Sequence, residues 1–220
     1  MNKIHLIYAV VLIFLLVSLE SVVELNYMTK QLIRVPLMIG VPVWLLIRSK
    51  SSLLSDLKVT KVSFKDIRIS VYAGLVVYFG AIGGYALIYF VSDPSSITDS
   101  LRAVGITPSN IIWVSLYMSS VNVLLEEFFF RGFVYWNLRK TNEILAYLVS
   151  SFLFALFHIA ILWTYFDWLF FVLLLIGLMI VGAFLIFINR YGKSLVNSSI
   201  VHVFADLAMF SIGFYLFLQL

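Results

Sequence analysis

Seven apolar segments, each near the length that crosses a bilayer, follow one another along the 220 residues with only short polar gaps between them. They are Ile4–Leu19, Leu32–Ile47, Ile69–Val91, Ile111–Phe130, Ile144–Leu162, Trp168–Ile188 and Leu195–Leu218. A membrane-spanning helix needs ~20 mostly apolar residues. Backbone inside hydrocarbon must satisfy its own hydrogen bonds, so such segments are helices. The composition agrees: 63% of residues are hydrophobic and 12% charged, with a mean hydropathy of +1.06. A water-soluble domain holds only ~45–50% apolar residues. The expected fold is an all-α polytopic membrane protein of about seven transmembrane helices, with residues 1–220 as one membrane-embedded domain. The first segment lacks a small-residue cleavage site after it and reads as an uncleaved helix. Pro36 and Pro42 are expected to disturb the second, because each removes a backbone donor.

The net charge of +4 does not indicate nucleic acid, since the basic residues lie between apolar segments and not on a stripe interleaved with aromatics. They read as topology signals. Lys3, Arg48, Lys50, Lys58, Lys61, Lys65, Arg68, Arg131, Arg139, Lys140, Arg190 and Lys193 fall on one side, and Lys30, Arg34 and Arg102 on the other. The positive side stays in the cytoplasm. The expected arrangement is an integral protein of a prokaryotic cytoplasmic membrane, with its N-terminus inside and its C-terminus outside. The connection Arg48–Arg68 reads equally as an interfacial amphipathic segment on anionic lipid and as a solvated loop. The connection Ser92–Asn110, with Pro94 and Pro108, reads as turns.

Ionisable side chains at membrane depth are costly, ~2.5–3.5 kcal/mol for Asp at a helix centre on insertion scales, and therefore mark function by default. Within the apolar runs stand Glu126, Glu127, His158, His202 and Asp206, and Arg131 closes the fourth run. Each alone has an ordinary reading, as a polar residue satisfied by a neighbouring helix or as a snorkelling end group. Together they form a pattern. Glu127 and Arg131 are four residues apart, on one helical face, and are expected to pair. Glu126, turned ~100° from Glu127, is left for another task. His202 and Asp206 repeat the four-residue spacing, and His158 comes from a third helix, so the site is expected between helices four, five and seven.

A carboxylate, two imidazoles and a second carboxylate are what a water-activating hydrolase needs. A Glu such as Glu126 can act as general base, and two imidazoles with a carboxylate, here His158, His202 and Asp206, are a common ligand set for a catalytic divalent metal, zinc by donor type. The same residues also support a metal-free site in which a buried Glu polarises water held by the histidines. Cysteine is absent, which removes thiol chemistry. Ser150, Ser151, Ser198 and Ser199 stand in no nucleophile-elbow context.

Glu126-Glu127-Phe128-Phe129-Phe130-Arg131 matches the EExxxR motif, Phe154–His158 the FxxxH motif and His202–Asp206 the HxxxN/D motif of the CPBP family. That family comprises intramembrane CAAX prenyl endopeptidases and bacteriocin-processing or immunity (Abi) proteins. The chain resembles it over 111–206. The resemblance implies Glu126 as the base that activates water, His158, His202 and Asp206 as the rest of the site, and Glu127 and Arg131 as supporting residues. It also implies an intramembrane endopeptidase acting on a membrane-associated protein or peptide, CAAX-like or a leader, bacteriocin or pheromone precursor. Membrane lipid is the other expected partner, nucleic acid is not one, and oligomeric state is left undetermined. Two other classes stay open: a non-enzymatic immunity or regulatory protein, and an ion-coupled transporter. Depth poses a difficulty. Counted from the cytoplasmic ends of these segments at 1.5 Å per residue, Glu126 lies ~8 Å, His202 ~11 Å and Asp206 ~17 Å deep, but His158 ~21 Å. The expectation is a fifth helix that starts below the surface, capped by Thr141 or Asn142, or one that is strongly tilted, with the site opening towards the cytoplasm.

Overall fold

The computed structural model describes residues 3–22, 27–49, 62–89, 98–99, 101–102, 105–159 and 168–219. Among them are seven long helices and no strand, the all-α polytopic membrane fold expected. Helix α1 is Lys3–Val22. Helix α2 runs from Tyr27–Val35 through a π-helical turn, Pro36–Gly40, into Val41–Arg48. Next come α3 (Phe64–Tyr89), α4 (Ile111–Arg139), α5 (Glu143–Ile159), α6 (Trp168–Gly192) and α7 (Leu195–Leu218). Five of these carry stretches long and apolar enough to span, while the apolar stretches of α1 and α5 are shorter. The disturbance expected at the prolines is the π turn, in which Val41 N–H reaches back to the Pro36 carbonyl. The connection 50–61, and with it the amphipathic reading, and most of 90–104 lie outside the described residues, while 105–110 form turns as expected.

Caps explain why several helices begin where they do. Ser63 accepts from the Asp66 N–H at 3.1 Å while its hydroxyl meets the Asp66 carboxylate at 2.7 Å, so α3 starts five residues before the apolar run. Asn142 caps α5 by accepting from the Leu145 N–H at 2.9 Å, and Ser194 caps α7 by accepting from the Val196 N–H at 3.2 Å. Helices α6 and α7 are joined by a turn at Lys193, which takes φ 51°. Helix α6 thus continues four residues beyond the apolar run Trp168–Ile188, as far as Gly192.

Helix α7 lies along α3, α5 lies along α6, and α4 runs between the two pairs, touching both α5 and α7. Small residues permit the close approaches. A Cβ on Gly74 of α3 would stand 2.2 Å from the Phe204 ring of α7, and one on Gly182 of α6 would stand 3.1 Å from the Ser151 backbone of α5. Around α4 gathers a fully buried cluster that includes Phe129, Phe130, Phe133, Phe154, Ile13 and Leu16. Large apolar side chains such as Phe14, Trp44, Phe79, Trp113, Ile180 and Met209 face outward, as lipid contact requires.

Two sequence expectations change here. Arg131 does not close the fourth helix, because α4 continues to Arg139 with Arg131, Tyr135 and Leu138 all buried. A hydropathy ruler stops at the arginine and misses that its charge is paired inside the protein. Arg34, counted as an outer-loop charge, is also buried, at 4% exposure. The depth difficulty then dissolves without a submerged α5. Glu126 lies 13 residues from the Arg139 end of α4 and His158 15 residues from the start of α5, so both stand ~20–22 Å from the α4–α5 turn. Helix α7 starts further in. Asn189 of α6 accepts from the Trp136 indole N–H at 2.8 Å and donates to the Ser198 hydroxyl at 3.3 Å, which sets the first turn of α7 beside α4. Glu126 is therefore near the middle of α4, and the expected cytoplasmic opening loses the proximity to that helix end on which it rested.

Candidate active site

Helix α4 is irregular where it carries its charges. Met118–Asn122 and Glu127–Tyr135 are π-helical, with Val123–Glu126 α-helical between them, and wide turns of this kind inside helices recur at functional sites. The two glutamates consequently face different partners. Glu127 Oε1 lies 2.9 Å from Arg131 Nη1 and 2.8 Å from His202 Nδ1. Glu127 and Arg131 are both completely buried. The pairing expected from the spacing is present, and the same oxygen also holds an imidazole of α7. Arg131 further donates to the Gly182 carbonyl at 3.4 Å and stacks over Phe154, 4.2 Å from the ring centre. A buried guanidinium is tolerated here because carboxylate, carbonyl and π-face all receive it.

Glu126 turns the other way. Its Oε2 lies 3.3 Å from His158 Nε2 and 3.8 Å from His202 Nε2, and its Oε1 accepts from Asn122 Nδ2 at 2.6 Å. The other ring nitrogens are already committed, His158 Nδ1 to the Phe154 carbonyl at 2.9 Å and His202 Nδ1 to Glu127. A carbonyl and a carboxylate only accept, so each neutral ring carries its proton on Nδ1 and offers a lone pair at Nε2. Two imidazole lone pairs and a carboxylate oxygen thus converge, with one donor atom from each residue lying within 4.8 Å of the other two. Glu126 Oε2 is buried and has no hydrogen-bond partner. Three acceptors facing one point, without a donor among them, are completed by a species that brings protons or positive charge: a water molecule or a cation.

Asp206 stands at the edge of this group. Its Oδ1 is 3.8 Å from His202 Nε2, and its Oδ2 is buried without a hydrogen-bond partner. The metal set expected from sequence was His158, His202 and Asp206; the set that the geometry assembles is Glu126, His158 and His202. The reason is reach: Glu126 projects from α4 between the two rings, whereas Asp206 sits one turn further along α7 than His202. One carboxylate and two imidazoles are the ligand types of many catalytic zinc sites, in which ligand atoms at ~2.0–2.1 Å from the ion stand about 3.3 Å apart. The Glu126–His158 spacing of 3.3 Å fits that, and His202 stands slightly outside it. The side chains of His158 and Asp206 are 28% and 20% exposed, so the site opens beside these two while Glu126 closes its floor.

Four residues escaped the sequence reading. Asn122 is buried and holds Glu126 directly. Behind it lie Arg34, whose Nη1 is 3.5 Å from Asn122 Oδ1, Gln31, which accepts from Arg34 at 3.4 Å, and Tyr117, whose hydroxyl donates to Gln31 at 3.3 Å. Asn122 sits four residues before Glu126 on the same face, a spacing visible in the sequence; nothing local ties α2 to it. The third histidine, His5 of α1, is buried against Phe133 of α4, with ring centres 5.4 Å apart, and stands outside the group of converging ligand atoms.

Residues 108–208 match the family model for type II CAAX prenyl endopeptidase Rce1-like proteins. That interval holds the Glu126, His158, His202 and Asp206 cluster entire. No match to a curated protein or to a solved structure accompanies it.

Proposed function

We propose, for a chain that belongs through residues 108–208 to the CPBP intramembrane proteases, that it cleaves a peptide bond of a membrane-associated substrate with a water activated by Glu126. The observation that carries this reading is the convergence of Glu126 Oε2, His158 Nε2 and His202 Nε2 on one point, with the carboxylate oxygen lacking a partner. A water placed there donates its hydrogens to two of the acceptors and turns an oxygen lone pair outward. Glu126 takes one proton as that oxygen bonds to the scissile carbonyl carbon. The carboxyl so formed then passes the proton to the departing amine as the C–N bond breaks. His202, held by Glu127, which Arg131 in turn pairs, and His158, held by the Phe154 carbonyl, keep the water on the correct side of the base. Asp206 borders the opening, where the extended peptide is laid against the site.

The same three donors fit a divalent cation, zinc by donor type. Bound there, it would supply Lewis-acid polarisation and acidify water. The substrate is a membrane-associated CAAX-like protein or a leader, bacteriocin or pheromone precursor. The excess of Lys and Arg in the loops of one side supports an N-terminus inside, and the membrane of this reading is a prokaryotic cytoplasmic one.

The test uses the purified protein in nanodiscs, a set of quenched peptides that includes a farnesylated CAAX peptide, and H₂¹⁸O. Cleavage with one ¹⁸O in the new carboxyl group is the expected result. Intact peptides throughout, from a protein that still confers a transport or immunity phenotype, would replace hydrolysis by one of those readings. Metal analysis of the same sample, with chelation and zinc add-back, decides whether the three donors carry zinc: activity that survives in metal-free protein removes the ion and leaves Glu126 as the base.

A further inference from the structure

The hydrolytic reading uses only one face of Glu126. Its other oxygen is pinned by Asn122 at 2.6 Å, and an amide beside a carboxylate has two orientations of very different consequence. With Nδ2 towards Glu126 it donates; with Oδ1 there, two acceptors would oppose each other in a buried site. Asn122 is itself 2% exposed, so water does not settle the choice. Arg34 does. Its Nη1 approaches Asn122 Oδ1, and because a guanidinium only donates, it fixes the amide with its carbonyl towards α2 and its NH₂ towards Glu126. Arg34 is also placed 4.9 Å over the Phe157 ring, and that ring lies edge-on to His158, with centres 5.5 Å apart. One guanidinium therefore backs both arms of the site, the base through Asn122 and an imidazole through Phe157.

The geometry points to Asn122 and Arg34 as positioning residues for the reaction: α2, which lies outside the region of family likeness, orients the Glu126 carboxylate through the Asn122 amide so that Oε2 faces the two imidazoles. This rests on Glu126 being the base. Asn122 belongs to the matched interval 108–208 but Arg34 does not, so the guanidinium that orients the amide is supplied by a helix that carries none of the motif residues.

Three variants in nanodiscs test this: Asn122→Asp, which keeps the shape and the acceptor for Arg34 but loses the donor, Asn122→Gln, which keeps the donor on a longer arm, and Arg34→Gln. With the farnesylated CAAX peptide as probe, Asn122→Asp is expected to lower kcat about 10- to 100-fold, the usual range for a lost outer-shell partner, with KM and melting temperature unchanged. Asn122→Gln recovers part of that loss, and combining Asn122→Asp with Arg34→Gln costs less than the product of the two. A second readout needs no substrate. The infrared carboxylate stretch of ¹³C-glutamate-labelled protein, taken as wild type minus Glu126→Gln, is expected to shift in Asn122→Asp and in Arg34→Gln. An unmoved Glu126 band in both variants, or a loss confined to KM or to folding, would overturn the assignment. If the wild type cleaves no probe, the hydrolase reading falls, and the infrared bands still decide the positioning.

Discussion

Two buried polar regions of this protein are built on opposite plans. Where α6 turns into α7, polar side chains meet neutral partners: Trp136 donates to Asn189, Asn189 to Ser198, and Asn197 to Ser70 at 2.9 Å. Only Asn197 Oδ1 and Ser199 Oγ are left over there. Near the middle of α4, three carboxylates and two imidazoles lie together with Arg131 paired to Glu127, and Glu126 Oε2, Glu127 Oε2, Asp206 Oδ2 and Arg131 Nε are all buried without a hydrogen-bond partner. A neutral network joins helices and holds its two unpaired atoms at a modest cost, whereas unpaired charged acceptors in a low-dielectric interior are held at a larger cost and call for a ligand. The first region is structural by this criterion, and the second is chemical.

The comparison breaks first at Glu126. Glu126→Gln keeps the shape and is expected to reduce cleavage by about 10²–10⁴-fold, the usual worth of a general base, with an unchanged melting curve. Activity within tenfold of wild type would show that the surplus acceptor does no chemistry. The next effect is on stability and separates the two glutamates. Glu127→Gln leaves Arg131 buried beside a neutral partner, which is expected to destabilise the protein by about 3–5 kcal/mol, read as a lower melting temperature in detergent. Arg131→Met added to Glu127→Gln is expected to recover part of that loss, because no unpaired charge is then left. Equal melting curves for Glu126→Gln and Glu127→Gln would erase the distinction between them.

A smaller effect belongs to the neutral region. Trp136→Phe removes the donor to Asn189 and leaves a buried acceptor, at about 1–3 kcal/mol, and cleavage by the folded fraction is expected to stay within twofold. A loss of turnover as large as that of Glu126→Gln would mean that the α6–α7 contact takes part in the reaction. The smallest perturbation reports the side on which this region faces. Lys193→Cys, at the exposed turn, is expected to react with an impermeant maleimide only after the cells are opened; labelling of intact cells would invert the topology. Gly192, next to it, does not serve, because a Cβ there would lie 2.3 Å from the Asn197 side chain.

Much of this contrast can be read from the sequence, and the rest fails for a definable reason. Apolar length gives the seven helices, and four-residue spacing gives the Glu127–Arg131 and His202–Asp206 neighbours. Hydropathy cannot tell a charge at a helix end from a charge paired inside, so by that measure α4 ends at Arg131 and Arg34 belongs to a loop. Spacing also cannot rank two carboxylates around the same imidazole: Glu126 lies between the rings and Asp206 at their edge because of how α4 packs against α5 and α7. The π-helical turns that set the directions of Glu126 and Glu127 leave no signal in the order of residues.

Three lone pairs meeting at one occupied point would be visible in an experimental map of the protein in lipid. At a resolution that shows ordered water, with anomalous data collected at the zinc edge, density is expected between Glu126 Oε2, His158 Nε2 and His202 Nε2. A water there lies ~2.6–3.2 Å from the base, and a zinc ion ~2.0–2.1 Å from the imidazole nitrogens with an anomalous peak. A map in which the His158 ring turns away from Glu126, or in which the three atoms close on one another with nothing between them, would contradict that expectation.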